Sequence, residues 1–526
     1  MIRLRQIKVL VSDNNLKEVV AHKLRIEIDD IKEIKIIKKS IDARFKPNIY
    51  YVYEVDILTD KEDYLLDKYQ SNDFFKTPHE KYYFEPKGED KLNNRPIIVG
   101  SGPAGLFCGY MLAMYGYKPL IIERGSDVDT RIEKVNHFWE KNILDKECNV
   151  QFGEGGAGTF SDGKLNTLIK DKNFRMKKVF EIFVENGAPE DIMYENKPHI
   201  GTDILVDVVK KIRKKIIANG GEFRFDTKLT NINYLDNRLV SIMVNDKEKI
   251  NCECLILAIG HSARDTFEML YDKKITMLPK PFAIGVRIQH SQDLINKSQY
   301  GMNYDKSLPN ASYKLTHTCR NNRGVYTFCM CPGGYVVNSS SENNMLAING
   351  MSYHARDSKI ANSAVIVTVS PKDYGDSPLD GMKFQRELEK KTYQVGNGLI
   401  PVQLFKDYMN NQDSKTIGTI KPMFKGTYKL TNLNIIFPEY INTSLKEGIL
   451  AMDKRIKGFA SDDAIIAAIE SRTSSPVRIV RDENYETNIK GIYPIGEGAG
   501  YAGGITSSAM DGIKIAEVIM NKFKGE

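Results

Sequence analysis

The sequence has few cysteines, no long hydrophobic run and no strong charge bias, and each shortage excludes a class of protein. Seven cysteines in 526 residues, an odd and sparse set, do not form the disulfide framework of a small secreted domain. Apolar runs of about 18 residues, which a membrane-spanning helix needs, do not occur. Charged residues interrupt the N-terminal segment every few positions, which argues against a signal peptide. The sequence therefore predicts a cytoplasmic protein with reduced thiols and no membrane partner.

The charge balance excludes a generally polycationic protein. Lysine and arginine total 75 against 68 acidic residues, so the formal net charge is only +7. This value indicates mild attraction to anionic ligands and does not by itself argue for nucleic acid. The hydrophobic fraction of 41% and the charged fraction of 27% are those of an ordinary folded protein, long enough for two or three domains.

Two common binding motifs are also missing. The pairs Cys252/Cys254 and Cys329/Cys331 have one intervening residue, whereas zinc sites usually have two to four, so the sequence predicts no metal site. No G-x-G-x-x-G motif occurs outside the three glycine-rich stretches described below. A separate NAD(P)H-binding domain is therefore not expected, and NAD(P)H as electron donor stays an open question.

What is present begins with a glycine-rich turn in residues 95–125. An apolar run leads to the turn from Gly100 to Gly105, a helical segment follows, and a second apolar run ends at Glu123. Gly100 permits a tight turn, Gly102 lets backbone approach a pyrophosphate, and Gly105 lets helix and strand pack closely. Glu123 follows Gly105 by 18 residues, where a carboxylate can bond an adenosine ribose. The pattern predicts a β-α-β unit that binds a dinucleotide at the N-terminus of its helix.

Two further glycine-rich stretches suggest where the rest of a long cofactor lies. Residues 151–165 include Gly155 and Gly156, and they are expected to bring main chain close to the cofactor, with Lys164 beside a flavin or substrate anion. The alternative is a flexible surface loop. Residues 491–512 read as a strand, a glycine loop and a helix. Its helix N-terminus would stabilise negative charge on a reduced flavin, and Glu497 is placed to bond a ribityl hydroxyl.

The order of segments predicts a multidomain α/β and α+β protein. After the first β-α-β unit come a helix at 203–218, a β-meander and a strand closing at Gly260, the order of a two-part FAD-binding domain with a Rossmann-like fold. Residues 1–60 read as a small ferredoxin-like α+β module and 61–94 as a linker. We expect the FAD-binding domain at 95–270 and 446–526, with a β-rich substrate domain inserted at 271–445. Within the insert, four strands and a helical region at 381–412 are expected.

Six segments resemble those of a widespread family of poorly characterised FAD-dependent dehydrogenases that share an N-terminal α+β module. They read VGSGPAGLFCGYMLA, QFGEGGAGTFSDGKLNT, LAIGHSARDTFEML, TFCMCPGGYVV, ESRTSSPVRI and IGEGAGYAGGITSSAMDGI. The resemblance covers nearly the whole chain and implies FAD in a glutathione-reductase-type domain, but no substrate. The residues expected to contact FAD are Gly100, Gly102, Pro103, Ala104, Gly105, Glu123, Arg124, Gly155, Gly156, Gly260, Gly496, Glu497, Gly503, Gly504, Ile505 and Thr506.

Five residues are candidates for catalysis. Cys329 and Cys331 lie two apart at a strand end, where both side chains would point to one face; they are either redox thiols beside the flavin or small buried hydrophobes. His261 follows a strand end, where α/β proteins place ligand groups, and Lys164 would add positive charge. Arg472 would grip a substrate carboxylate through its bidentate fork, unless it only forms a salt bridge within the fold.

The function predicted from these features is an FAD-dependent oxidoreductase that passes hydride through a non-covalent flavin to or from a small organic substrate. A nicotinamide or protein electron donor remains possible as a partner. The alternative is an RNA-associated flavoprotein in which the N-terminal module recruits nucleic acid. Acidic residues of that module offset part of the charge of its basic residues, so a solvated strand face is favoured over a nucleic-acid-binding patch.

Overall fold

The computed structural model describes residues 1–13, 15–69 and 71–525. Its N-terminal unit is an antiparallel four-stranded sheet with two helices, in the β-α-β-β-α-β order of a ferredoxin-like fold, as predicted. Across the sheet the strands are Glu33–Asp42, Tyr50–Leu58, Ile2–Leu10 and Phe74–Lys76. The helices are Leu16–Leu24 and Glu62–Lys68.

The structure corrects the predicted linker at 61–94. Phe74–Lys76 pairs with Ile2–Leu4 at the edge of the N-terminal sheet, and Leu65 of the second helix is buried in its core. The ferredoxin-like unit therefore needs residues beyond 60. It is docked on the rest of the chain. Ile49 packs in the core of the seven-stranded sheet described below, and the backbone of Lys39 forms hydrogen bonds with the backbone of Tyr194 and Asn196.

The second unit is a five-stranded parallel sheet built from both ends of the chain, which confirms the two-part domain. In spatial order its strands are Ile492–Pro494, Leu255–Leu257, Ile97–Val99, Leu120–Ile122 and Glu222–Arg224. Its helices are Pro103–Met114, Val128–Lys141, Arg175–Glu185, Thr202–Ala218, Arg264–Asp272 and Ile505–Lys522. A meander packs on the sheet with strands Leu229–Leu235, Arg238–Val244 and Glu248–Asn251. Gly109 lets the first helix approach the sheet, since a Cβ there would lie 2.6 Å from Ile121.

The third unit is the predicted β-rich insert. Its seven-stranded sheet runs in the order Thr316–Thr318, Gly324–Cys331, Ile360–Val369, Phe282–Ser291, Ile465–Glu470, Ile400–Leu404 and Tyr428–Leu430. Smaller sheets contain Ile348–Met351, Tyr335–Asn338 and Phe424–Lys425, and Met277–Pro279 with Val477–Ile479. Its helices are Gln292–Tyr300, Pro371–Tyr374, Asp380–Gly396, Phe405–Met409 and Glu439–Asp453.

Two expectations for the insert were wrong. Its sheet does not end at residue 445, because Ile465–Glu470 lies between Phe282–Ser291 and Ile400–Leu404 and pairs with both. The region 381–412 is not one helical stretch either. The helix Asp380–Gly396 ends before the buried strand Ile400–Leu404, whose alternate side chains fill a separate core with Val336.

Candidate functional site

A cavity of about 1040 Å³ lies between the parallel sheet and the seven-stranded sheet. One wall follows the carboxyl ends of the strands Ile97–Val99 and Leu255–Leu257, the edge at which open parallel sheets bind ligands. Residues 327–331 of the insert line the other side. The volume is at the upper end of the range for small-molecule sites, so one space has room for an extended cofactor and a substrate.

The first glycine loop is shaped in the way its motif predicts. Gly100 has a φ of +100°, and a Cβ there would lie 2.3 Å from the oxygen of Ala258. A Cβ on Gly105 would lie 1.9 Å from the oxygen of Gly100. Gly102 differs, because the nearest atom to its Cβ position is 3.7 Å away and the residue faces the cavity. The helix that begins at Pro103 has no side-chain cap, so its free N–H groups favour an anion such as a pyrophosphate.

Glu123 lines the cavity, but its carboxylate is already held by the protein. One oxygen accepts from the N–H and the hydroxyl of Ser101, at 2.9 and 2.8 Å. The other accepts from the N–H groups of Gly125 and Gly153, both at 3.0 Å. These four donors fill the usual acceptor positions of a carboxylate. Glu123 therefore holds the loops together. The predicted hydrogen bond from a ribose hydroxyl would be a fifth bond to a carboxylate that already accepts four.

The second glycine stretch is organised by Arg131, which the sequence analysis missed. Its buried guanidinium donates to five backbone carbonyls at 2.7 to 3.3 Å. These belong to Asn149, Val150, Gly153, Glu154 and Gly156. Burial lowers the pKa of Arg131 to about 10, which still leaves it charged at neutral pH. The stretch is therefore a fixed wall, and the flexible-loop alternative was wrong. Arg131 lies in an amphipathic helix, and nothing in the sequence distinguishes it there from an ordinary surface arginine.

Twelve of the sixteen residues expected at FAD line the cavity, and four do not. The twelve are Gly100, Gly102, Pro103, Ala104, Glu123, Arg124, Gly156, Gly260, Glu497, Gly503, Gly504 and Ile505. Gly105, Gly155 and Gly496 instead pack against other atoms, with Cβ positions 1.9, 2.1 and 2.7 Å from their nearest neighbours. The hydroxyl of Thr506 is buried and donates to the oxygen of Leu165 at 2.8 Å. These four support the wall from behind.

The C-terminal glycine loop leaves open space where a cofactor is expected. In the described part of the chain, no atom lies within 4 Å of the Cβ position of Gly260 or Gly503. The helix Ile505–Lys522 begins directly after this loop, with Gly504 at its N-cap and no side-chain cap. Together with Gly102, these glycines form a cradle that a side chain would fill. The cradle and the two uncapped helix ends fit FAD.

His261 and Glu497 meet at the wall, with Nδ1 of His261 3.6 Å from a carboxylate oxygen of Glu497. Burial and the charges of Arg472 and Arg264 lower the pKa of His261 to about 3, so the imidazole is neutral. Burial raises the pKa of Glu497 to about 7, although a quarter of its side chain is open to the cavity. A carboxyl group with such a pKa can hold or release a proton near neutral pH.

Arg472 lines the cavity, but the structure corrects its predicted role. Its guanidinium pairs with both oxygens of Glu389 at 2.9 and 2.8 Å, and donates to Ser262 and Ser341. Glu389 is fully buried and also pairs with Arg264. Although burial opposes ionisation, the two arginines hold the Glu389 pKa well below its usual range. The bidentate fork of Arg472 is therefore already taken and is not available for a substrate carboxylate.

The cysteine pair lines the cavity, but the two thiols are not equally accessible. The strand Gly324–Cys331 is irregular between Phe328 and Cys331, and Cys329 has a φ of +41°. Cys329 is accessible from the cavity, whereas Cys331 is buried and its thiol donates to the Cys329 oxygen at 3.3 Å. The surrounding protein raises the pKa of Cys329 to about 12, and burial also raises that of Cys331. Neither thiol is activated as a thiolate.

Lys164 and several other positively charged side chains line the cavity. Lys164 lies 3.8 Å from a carboxylate oxygen of Asp162, which Arg356 also binds. Three further cations, Lys197, Lys314 and Arg455, were missed by the sequence analysis because they come from separate segments without a shared motif. Near Cys329, Glu470 pairs with the fully buried Arg287 at 2.7 Å.

A group of three potential metal ligands lies outside this cavity, although the sequence predicts no metal site. Nε2 of His317 is 3.3 Å from Glu447, and these two side chains and Cys319 bring ligand atoms within 4.8 Å of one another. The Cys319 thiol donates to the oxygen of Ser444 at 3.5 Å, and the N–H of Arg320 donates to Glu447. Each of these groups therefore has a partner within the protein.

Among the described helices, none has the length and apolar character to cross a membrane.

Comparison with solved structures finds distant likenesses. Glycine oxidase from Bacillus cereus ATCC 14579 is 11% identical over 82% of this chain and 96% of its own, with a TM-score of 0.37. CtdE in complex with FAD is 13% identical over 82% of this chain and 84% of its own, with a TM-score of 0.31.

Sequence comparison identifies the family. A profile described as "FAD-dependent protein, C-terminal domain-like" matches residues 281–473, an "NAD(P)-binding Rossmann-like domain" matches 98–153, and a domain of unknown function matches 1–58. An uncharacterised protein of Clostridium beijerinckii (strain ATCC 51743 / NCIMB 8052) is 49% identical over 530 residues, which cover 99% of each chain. The resemblance seen in the sequence is thereby confirmed: the chain belongs to a poorly characterised family of FAD-dependent oxidoreductases, and its cofactor is FAD.

Proposed function

We propose that the protein transfers hydride between a non-covalent FAD and a small organic substrate held against the insert. The observation that carries this proposal is the single cavity that joins the glycine cradle to residues 327–331 of the seven-stranded sheet. When bound, FAD accepts a hydride from an organic substrate or gives one to it. The insert would then choose the substrate, because it supplies the wall opposite the cradle.

The chain's own residues supply binding, orientation and proton handling. The helices that begin at Pro103 and Ile505 aim free N–H groups at the cradle and favour negative charge on the cofactor. Glu123 and Arg131 hold the loops in place before the cofactor binds, which lowers the cost of ordering. Glu497, with its pKa raised to about 7, is the group best placed to take up or return a proton.

The source of electrons follows from the sequence and is part of the proposal. Every G-x-G-x-x-G match in the sequence lies in one of the three glycine-rich stretches that line the cavity, so none marks a separate nucleotide-binding domain. We therefore expect NADH and NADPH to reduce the bound flavin slowly under anaerobic conditions, far below a typical turnover of about 10 per second. The substrate or a protein donor would supply the electrons. The RNA-associated alternative gains no support from the comparisons, which match residues 1–58 to a domain of unknown function.

The experiment is a redox cycle on the purified holoprotein. Denaturation should release FAD and not FMN, and light or dithionite should bleach the bound flavin fully. Adding dioxygen, a quinone or ferricyanide in separate samples should then restore the oxidised spectrum. A Gly102→Ala variant, whose added methyl group enters the cradle, serves as the flavin-poor control. Bound FAD that none of these acceptors reoxidises would contradict a role in electron transfer.

A further inference from the structure

We infer that the substrate is an anion, with a carboxylate or phosphate group, and that Lys164, Lys197, Lys314 and Arg455 bind it. This inference rests on the proposed function, because it names the substrate class for the same cavity. It concerns the part of the cavity away from Glu123, on the side of Lys164. Four cationic side chains from four separate segments converge there on one space.

Contacts and charge interactions place Lys164, Lys197 and Arg356 in one neighbourhood, and Lys314 and Arg455 line the same cavity. Nζ of Lys197 is 3.0 Å from the hydroxyl of Ser312, two residues before Lys314. Lys164 and Arg356 both face Asp162. The surrounding protein, together with the charges of Lys164 and Arg356, lowers the pKa of Lys197. Lys197, Lys164 and Arg356 are therefore close enough to repel one another before any anion arrives.

The balance of charge separates this group from the other cations at the cavity. At the adenosine side, Arg124 and Lys228 each pair with both Glu147 and Asp265. Those two cations are satisfied by the fold and need no ligand.

The cations of the proposed site are not matched in this way. In residues 1–13, 15–69 and 71–525, no carboxylate forms an ion pair with Lys197, Lys314 or Arg455. Asp162 is the acidic neighbour of Lys164, and Arg356 already binds it.

The other carboxylates at the wall do not offset this excess. Glu123 is engaged by backbone and hydroxyl donors, Glu470 by Arg287, and Glu497 has its pKa raised to about 7. Lys197, Lys314 and Arg455 are exposed to solvent, but they line a cavity and do not stand on a convex surface. Cations that line a concave site instead focus a positive potential and raise the local concentration of anions. Lysine ammonium and arginine guanidinium groups are the usual partners of carboxylate and phosphate.

The test is isothermal titration of the FAD-loaded protein with malonate and with inorganic phosphate, using malonamide as the neutral match for malonate. At low ionic strength at least one anion should bind, and its affinity should fall as salt is added. Binding of malonate alone assigns the site to carboxylates, and binding of phosphate alone assigns it to phosphate esters. Failure of both anions, or equal binding of malonamide, would overturn the inference.

Variants locate the site. The double variant Lys197→Gln/Lys314→Gln should weaken anion binding at least tenfold, whereas Lys429→Gln, an exposed lysine outside the cavity, should leave it unchanged. Equal binding by the double variant and the parent protein would place the anion elsewhere and sink the proposal. The heat signal does not depend on turnover. An anion site in a protein whose flavin cannot be cycled would therefore contradict the proposed function and not this inference.

Discussion

The N–H and the hydroxyl of Ser101 both donate to one carboxylate oxygen of Glu123, at 2.9 and 2.8 Å. The second oxygen accepts from the loops at Gly125 and Gly153. One buried side chain thus joins the first glycine loop, the end of its own strand and the second glycine loop. Because charge-assisted bonds to a buried carboxylate are strong, removing it should loosen all three segments at once.

We expect Glu123→Gln to weaken FAD binding by roughly ten- to hundredfold, or about 1.5–3 kcal/mol. The amide keeps the shape but presents a donor where the parent protein has an acceptor. Reconstitution of the apoprotein, followed by flavin fluorescence, gives the dissociation constant. Glu147→Gln is the control, since Glu147 pairs with Arg124 and Lys228 and does not touch the loops' N–H groups. An unchanged constant for Glu123→Gln would refute this role of Glu123 in holding the loops together.

The glycines of the cradle should separate cofactor binding from folding. Gly102→Ala and Gly503→Ala add a methyl group to open space at the cavity, so we expect normal thermal unfolding of the apoprotein and poor FAD retention. Gly105→Ala would place its methyl group 1.9 Å from the oxygen of Gly100, so this variant should unfold at a clearly lower Tm. Circular dichroism melts and flavin content measure the two effects. The reverse pattern would show that the cradle faces away from the cofactor.

The parts of the site that the sequence predicted are those with short-range signals. The turn from Gly100 to Gly105, the strand before it and Glu123 lie within one unit, so their spacing carries the geometry. The ferredoxin-like unit was only partly visible, because its last strand, Phe74–Lys76, is three residues long and lies in a polar segment.

Contacts between residues far apart in the chain could not be predicted from the sequence. From the sequence, Arg472 is a candidate to bind a substrate carboxylate. In the fold its guanidinium binds the carboxylate of Glu389 instead, which is 83 residues away in sequence. The strand Ile465–Glu470 is wholly buried and reads equally well as part of either domain, so the end of the insert was placed too early. The cations Lys197, Lys314 and Arg455 have no shared spacing at all, and only the fold brings them to one cavity.

The carboxyl group of Glu497 predicts a dependence of stability on pH in the flavin-free protein. Its pKa is raised from 4.5 to about 7 on folding, so the folded state holds this proton more tightly. The associated stabilisation is complete below about pH 4.5 and is lost as the pH rises to about 7. Relative to Glu497→Gln, the parent protein should lose on the order of 3 kcal/mol across this range.

Thermal melts at a series of pH values measure this difference. His261 titrates with the opposite sign, because its folded pKa of about 3 is below the ordinary 6.5 and its stabilisation is lost as the pH falls. The comparison should therefore be repeated in a His261→Gln background. A parent protein and a Glu497→Gln variant with parallel pH profiles in both backgrounds would show that Glu497 is an ordinary carboxylate.

The buried pair of Arg472 and Glu389 should matter for stability more than any surface pair. Glu389→Gln removes the negative charge that two buried arginines share, and leaves Arg472 without an ion-pair partner and Arg264 with Glu342 alone. Breaking such a pair costs about 3–5 kcal/mol, whereas the exposed pair of Lys32 and Asp60 should contribute under about 1 kcal/mol. Melts of Glu389→Gln and Asp60→Asn test this contrast. Equal Tm values for the two variants would contradict it.

The last prediction concerns the thiols that face the cavity. With its pKa raised to about 12, Cys329 should be almost entirely a neutral thiol at pH 7, whereas Cys331 is buried. Thiolates attack iodoacetamide and displace iodide, so Cys329 should label slowly at neutral pH and faster as the pH rises, while Cys331 stays unlabelled in the folded protein. Mass spectrometry of the alkylated peptide measures both rates. A thiolate stacked on oxidised flavin would produce a long-wavelength charge-transfer band, and we expect none in the parent protein after partial reduction. Cys329→Ser and Cys331→Ser should then give flavin spectra that superimpose on it. A band that disappears in one of these variants would make that cysteine a redox partner of the flavin.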